Sequence, residues 1–265
     1  MGKKILSAFL LLVIFIPIFM IGGGIFYTFI YVISLLGMHE FMNVKDSKKS
    51  IPLFIKFLSY VSVSFLIFSN MRSESLIFSI DYRILSGIFS LFLIPTVLYH
   101  DRSLYSINDA FYMIGGVLFL GISFSLLVIA RNISLSILIY IFLIGIVSDT
   151  YAFITGMLIG NKKLLEEVSP SKTIEGMIGG IIMGTFVPVM YYVTVINPQF
   201  NLFLLIIITL FLCILGHLGD LCFSAIKRYF GKKDFSNIIP GHGGILDRFD
   251  SIIFILLGFM FFVNI

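Results

Sequence analysis

Four carboxylates stand where an otherwise apolar chain makes them expensive. Asp149 lies inside one hydrophobic run, Asp220 near the end of another, and Asp247 and Asp250 at the start of a third. Ionisable groups in such segments are functional candidates by default. Their spacing is informative. Asp220, Ser224 and Lys227 are four and three residues apart and fall on one helical face, and Asp247 and Asp250 share a face of the next helix. Between them runs Lys232-Lys233-Asp234-Phe235-Ser236-Asn237-Ile238-Ile239-Pro240-Gly241-His242-Gly243-Gly244. Carboxylates hold a hard divalent cation such as Mg²⁺. Lysine and arginine neutralise phosphate oxygens, and glycines let backbone N–H groups approach them at a helix N-terminus. Two carboxylate-bearing helix ends around a basic, glycine-rich loop therefore suit a metal–triphosphate complex. A plainer reading makes the loop a topology anchor followed by a turn, but it leaves the adjoining carboxylates unexplained.

The elements that must position these groups are membrane helices. Apolar residues make up 59% of the chain and charged residues 12%, with a mean hydropathy of +1.09; soluble domains carry about 25% charged residues. An all-α polytopic membrane protein is expected. With about 20 apolar residues needed per span, nine spans are predicted: 5–20, 23–38, 51–69, 84–99, 110–130, 132–159, 173–196, 201–226 and 245–264. Pro17 and Gly22-Gly23-Gly24 divide the first two, since both residue types interrupt helices. The segment 76–82 is too short to cross and is assigned to the interface. Lys3 and Lys4 precede a run with no small-residue cleavage site, which is read as a retained helix rather than a signal peptide.

Charge sets the orientation. With the N-terminus cytoplasmic, fourteen Lys and Arg residues fall on the inner side, Lys56 lies within a span, and only Arg72, Arg83 and Arg131 fall outside. Ile265 is then external. The same bias explains the net charge of +4 and the pI near 9.0 without any nucleic-acid partner. The chain reads as one membrane domain, with N-terminal helices over 1–130 and the chemistry-bearing region over 131–265. Cys213 and Cys222 have no metal-ligand spacing and are expected as ordinary helix residues. A second cluster, Ser169-Pro170-Ser171-Lys172-Thr173-Ile174-Glu175-Gly176, combines a capping device with Lys172 and Glu175 on the same membrane face as the acidic pair.

Ser224-Ala225-Ile226-Lys227-Arg228, Lys233-Asp234, Ser236, Ile239-Pro240, His242-Gly243-Gly244-Ile245 and Asp247-Arg248-Phe249-Asp250 together resemble, without a gap, the signature of the phosphatidate cytidylyltransferases. The likeness extends to Gly219-Asp220, the 169–176 run and Asp149-Thr150-Tyr151-Ala152-Phe153; the first 140 residues are similar only in length and hydropathy. The resemblance implies an inner-membrane enzyme, its site facing the cytoplasm, that joins CTP to phosphatidic acid in the bilayer, releases pyrophosphate and needs Mg²⁺. A second cation and a homodimer are left open. Asp220 and Asp247 would coordinate metal, with Asp250 and Ser224 supporting that site. Lys227, Arg228 and Lys172 would meet phosphates. Lys233, Gly243, Gly244 and Arg248 complete the substrate-binding set, together with His242 as brace of the glycine loop. His39, His100 and His217 are expected at helix ends or interfaces. Two positions depart from the common family pattern, Phe223 for Glu and Met157 for Arg. The enzyme alternatives are CTP chemistry on another lipid phosphate or on a polyprenol. A transporter would spread its polar residues through several spans, whereas here they gather in the last half of the chain.

Overall fold

The computed structural model describes residues 13, 15–71, 82–99, 101–238 and 243–262. The helices are α1 (Gly23–Asp46), α2 (Leu53–Met71), α3 (Tyr82–Leu98), α4 (Ile107–Ile133), α5 (Leu135–Ile159), α6 (Ile174–Tyr191, continued by a π-helical turn at Tyr192–Ile196), α7 (Leu202–Tyr229) and α8 (Leu246–Phe259). One antiparallel hairpin, β1 (Lys163–Leu165) and β2 (Ser169–Thr173), interrupts them. Among the described residues six helices, α1, α2, α4, α5, α6 with its extension, and α7, are long and apolar enough to cross a membrane. The chain is a multi-pass membrane protein. Helices α3 and α8 fall on the expected spans 84–99 and 245–264 but run to only 17 and 14 residues. Most of the expected first span lies outside the described residues, as does nearly all of the interfacial segment 76–82.

The chain forms two compact units, one of residues 1–132 with 234–247, the other of 133–233 with 248–265. In the first, Phe26, Ile30, Met38, Ile55, Leu66, Ile67, Phe92 and Phe124 are fully buried. Buried Asp109 takes hydrogen bonds from both Lys45 and Lys49, while Asp46 pairs with Lys56 and accepts from the backbone N–H of Ile51 at the start of α2. Removing one partner of a buried ion pair typically costs several kcal/mol, so these pairs hold the α1–α2 turn against α4. The helix break expected at the glycine triplet is present. The Arg131 guanidinium donates to the carbonyls of Phe19 and Met20, which a helix ending there leaves without partners.

In the second unit, α5 and α6 pack through small residues repeating every four positions. Ser148, Ala152 and Gly156 face Gly176, Gly180 and Gly184. Without a hydrophobic driving force in lipid, such stripes let helix backbones approach closely. A Cβ added at Gly180 would lie 2.7 Å from the Ser148 carbonyl oxygen and 2.9 Å from His217 Nε2. We therefore expect Gly180→Val to destabilise the protein by about 1–3 kcal/mol through overpacking, seen as a lower unfolding midpoint in detergent. An unchanged midpoint would contradict this packing.

Candidate active site

Helix α7 carries Asp220, Ser224 and Lys227 on one face, as their spacing requires. Ser224 Oγ donates to Asp220 Oδ1 at 3.3 Å, and Lys227 is buried. The helix ends where it does because Gly231 adopts a left-handed conformation, φ 70°. Its N–H donates to the Arg228 carbonyl and that of Lys232 to the Lys227 carbonyl, both at 2.9 Å. This is the Schellman arrangement, and it leaves Lys232 and Lys233 exposed just beyond the helix.

The 169–176 cluster supplies the cap that its residues suggest, and the lysine beside that cap reaches a neighbouring helix. Thr173 Oγ1 accepts from the Gly176 N–H at 3.1 Å, starting α6, and Glu175 accepts from the N–H groups of Asn161 and Lys162. One residue before the cap, Lys172 reaches α7 and forms an ion pair with Asp220. Arg228 holds the same hairpin, donating from Nε to the Val168 carbonyl at 3.3 Å, and reaches the Lys232 carbonyl through Nη1.

Asp149 and Asp250 join this group. Ser251 Oγ lies 3.3 Å from Asp149 Oδ2 and 3.4 Å from Asp250 Oδ1, and the Ser251 N–H donates to Asp250 at 2.8 Å. Both carboxylates act electrostatically on each other or on Asp220; Lys172 acts on Asp149 and Lys227 on Asp250. Three carboxylates thus stand against two lysines among apolar helices. Among the described residues no three His, Cys, Asp or Glu side chains converge as a metal site. The donor chemistry nonetheless fits a hard divalent cation. It is all oxygen.

Asp247 and the glycines before it belong to the first unit. Asp247 Oδ2 accepts from the N–H groups of Gly244 at 2.8 Å and Phe235 at 2.9 Å. Gly243 has φ 82°, and a Cβ there would come within 2.9 Å of the same oxygen, so glycine is required twice over. The amides of Gly244, Ile245 and Leu246 all donate to protein carboxylates, the last two to Glu40. These two hydrogen bonds fix the orientation of the Asp247 carboxylate. Arg248 is exposed. His242 lies outside the described residues.

Sequence reasoning anticipated the Asp220–Ser224–Lys227 face, and Lys172 meets Asp220 on it. It missed Glu40, Ser251 and the buried Ser148–His217 pair, whose Oγ and Nε2 are 2.8 Å apart. His217 therefore sits in the interior of the α5–α6–α7 packing, whereas His39 bridges α1 and α2 through Tyr60. A signal for Glu40 existed: an acid within a helix whose apolar stretch continues past it. Cys213 and Cys222 are both free. Phe223, at one departure from the pattern, is fully buried with its ring edge-on to Phe254; Met157, at the other, is exposed.

A cytidylyltransferase family model matches residues 2–265. Curated relatives named phosphatidate cytidylyltransferase from Staphylococcus haemolyticus and Staphylococcus saprophyticus are each 37% identical over 97% of this chain and 96% of their own length. One of the same name from Staphylococcus aureus is 36% identical over the same shares. The match covers the whole span from α1 to α8, including every carboxylate described above, and on it the chain belongs to the cytidylyltransferase family.

Proposed function

We propose that this protein transfers the cytidylyl group of CTP to phosphatidic acid, giving CDP-diacylglycerol and pyrophosphate for phospholipid synthesis. The observation that carries this reading is the Lys172–Asp220–Ser224 arrangement, with Asp149, Asp250 and Lys227 in electrostatic reach, in a member of the cytidylyltransferase family. The attacking group is a phosphate monoester, whose second pKa near 6 leaves it largely dianionic at neutral pH. No dedicated base is then needed. A phosphatidate oxygen forms a bond to the α-phosphorus of CTP as the bond from that phosphorus to the β-bridging oxygen breaks, and pyrophosphate departs with the electron pair.

The difficulty is anion meeting anion, and the residues answer it. Lys172, Lys227, Arg228, Lys233 and Arg248 would neutralise phosphate oxygens, and Ser224 holds the Asp220 carboxylate in place. Asp220, Asp247 and Asp250 would hold Mg²⁺, which when bound polarises the phosphoryl group and stabilises the leaving pyrophosphate. Lys172 pairs with Asp220, so each compensates the other's charge beside the place where the nucleotide would bind.

The same reading puts the site on the cytoplasmic face of the inner membrane. Nine crossings with a cytoplasmic N-terminus and external Ile265 divide the basic residues fourteen to three. A thiol reagent applied from outside should therefore spare a Lys233→Cys reporter until the cells are lysed; labelling before lysis would reverse the orientation. The activity itself is tested with purified protein, CTP, Mg²⁺ and phosphatidic acid, following lipid-linked cytidine.

A further inference from the structure

Glu40 belongs to none of the motifs that carry the family resemblance, yet it is fully buried and both its oxygens are engaged. Oε1 accepts from Ser236 Oγ at 2.5 Å and from the Ile245 N–H at 2.8 Å, and Oε2 accepts from the Leu246 N–H at 2.9 Å. Gly244 packs directly on it, since a Cβ there would lie 2.6 Å from Oε1. These three donors are neutral, one hydroxyl and two backbone amides. Burying a carboxylate is costly unless it is well hydrogen-bonded, and the N-terminal end of a helix, here α8, supplies both donors and a favourable dipole. One side chain of α1 thus pins both ends of the signature loop, Ser236 on one side and Ile245–Leu246 on the other. The next residue is Asp247, whose own carboxylate bonds back to Phe235 and Gly244 in the same loop.

We propose that Glu40 is a positioning residue for the reaction, holding the signature loop and the first turn of α8 so that Asp247 is presented in a fixed orientation. The inference rests on the cytidylyl-transfer reading above. It makes α1 part of the catalytic apparatus, although Glu40 lies far from the signature in sequence.

The test uses the full-length protein in detergent with two variants, Glu40→Ala and Glu40→Gln. Hydrogen exchange read by mass spectrometry should accelerate at least about tenfold at Ile245 and Leu246 in Glu40→Ala, with α4 exchanging as in wild type. Turnover should fall about 100-fold, the scale of a misplaced reacting group. The Mg²⁺ concentration for half-maximal rate should rise about tenfold, as for lost ligand support; a loss of folded protein alone would leave that concentration unchanged. Glu40→Gln keeps the volume and one acceptor oxygen, so it should fall between the two, and it carries the test if Glu40→Ala does not fold. Unchanged exchange at 245–246 in the folded variants would overturn the proposal, as would faster exchange with wild-type turnover and Mg²⁺ dependence. A wild-type chain without cytidylyl transfer would instead defeat the functional reading, a failure visible before any variant is made.

Discussion

Asp220→Asn should lower turnover by about a thousandfold while the protein still inserts and stays folded. The substitution keeps the volume and removes one formal charge from a cluster in which Asp220 meets Lys172, Ser224, Asp149 and Asp250. Metal-ion polarisation of a phosphoryl group is worth several kcal/mol, at about 1.4 kcal/mol per factor of ten. A neutral amide offers a divalent cation one weak oxygen in place of a carboxylate, and it also deprives Lys172 of its ion-pair partner. Both losses act on the charge balance of the transferring group, so more Mg²⁺ should recover only part of the rate. Assay of the purified variant across a Mg²⁺ titration, beside an unfolding curve, reads this directly. Near-normal turnover at saturating Mg²⁺ would remove Asp220 from the metal site.

The second large effect separates two lysines five residues apart. Lys227 is buried on the Asp220–Ser224 face and acts electrostatically on Asp250, whereas Lys232 is exposed beyond the Schellman turn. A fixed charge aimed at the developing transition state in a water-poor site is worth about 10²–10³ in rate. Lys227→Gln should therefore depress kcat about 100-fold. Lys232→Gln should mainly raise KM for CTP, and less so at high salt, because an exposed charge is screened beyond about 8–10 Å at physiological ionic strength. Interactions realised only in the transition state lower kcat and kcat/KM together; uniform binding shifts KM alone. If Lys227→Gln changed only KM, this lysine would not stand beside the reacting phosphate.

What could be read from the chain was what depends on local order. The α4 to α7 boundaries follow from apolar run length, the Asp220–Ser224–Lys227 face from helical period, and the start of α6 from its capping residues, because each signal lies within a few residues of its effect. Glu40 was illegible for the opposite reason. The expected second span ends at residue 38, before polar His39 and Glu40, yet α1 runs on to Asp46. The acid is tolerated there because its donors come from Ile245 and Leu246, 205 and 206 residues away. The α5–α6 stripe was hidden similarly. Glycines at 176, 180 and 184 are unremarkable until Ser148 and Ala152 are known to face them. Asp149 could be flagged as a costly acid, but its link to Asp250 through Ser251 is a tertiary fact.

Cytidylyl transfer leaves the α-phosphate of CTP on the lipid. Purified protein incubated with phosphatidic acid, Mg²⁺ and CTP radiolabelled at either the α- or the γ-phosphate decides it. The α-label should enter the lipid fraction in step with pyrophosphate release, while γ-label stays in the released pyrophosphate. Lipid labelled from the γ-position, with CDP as the product, would show a CTP-dependent kinase instead. It would contradict the account.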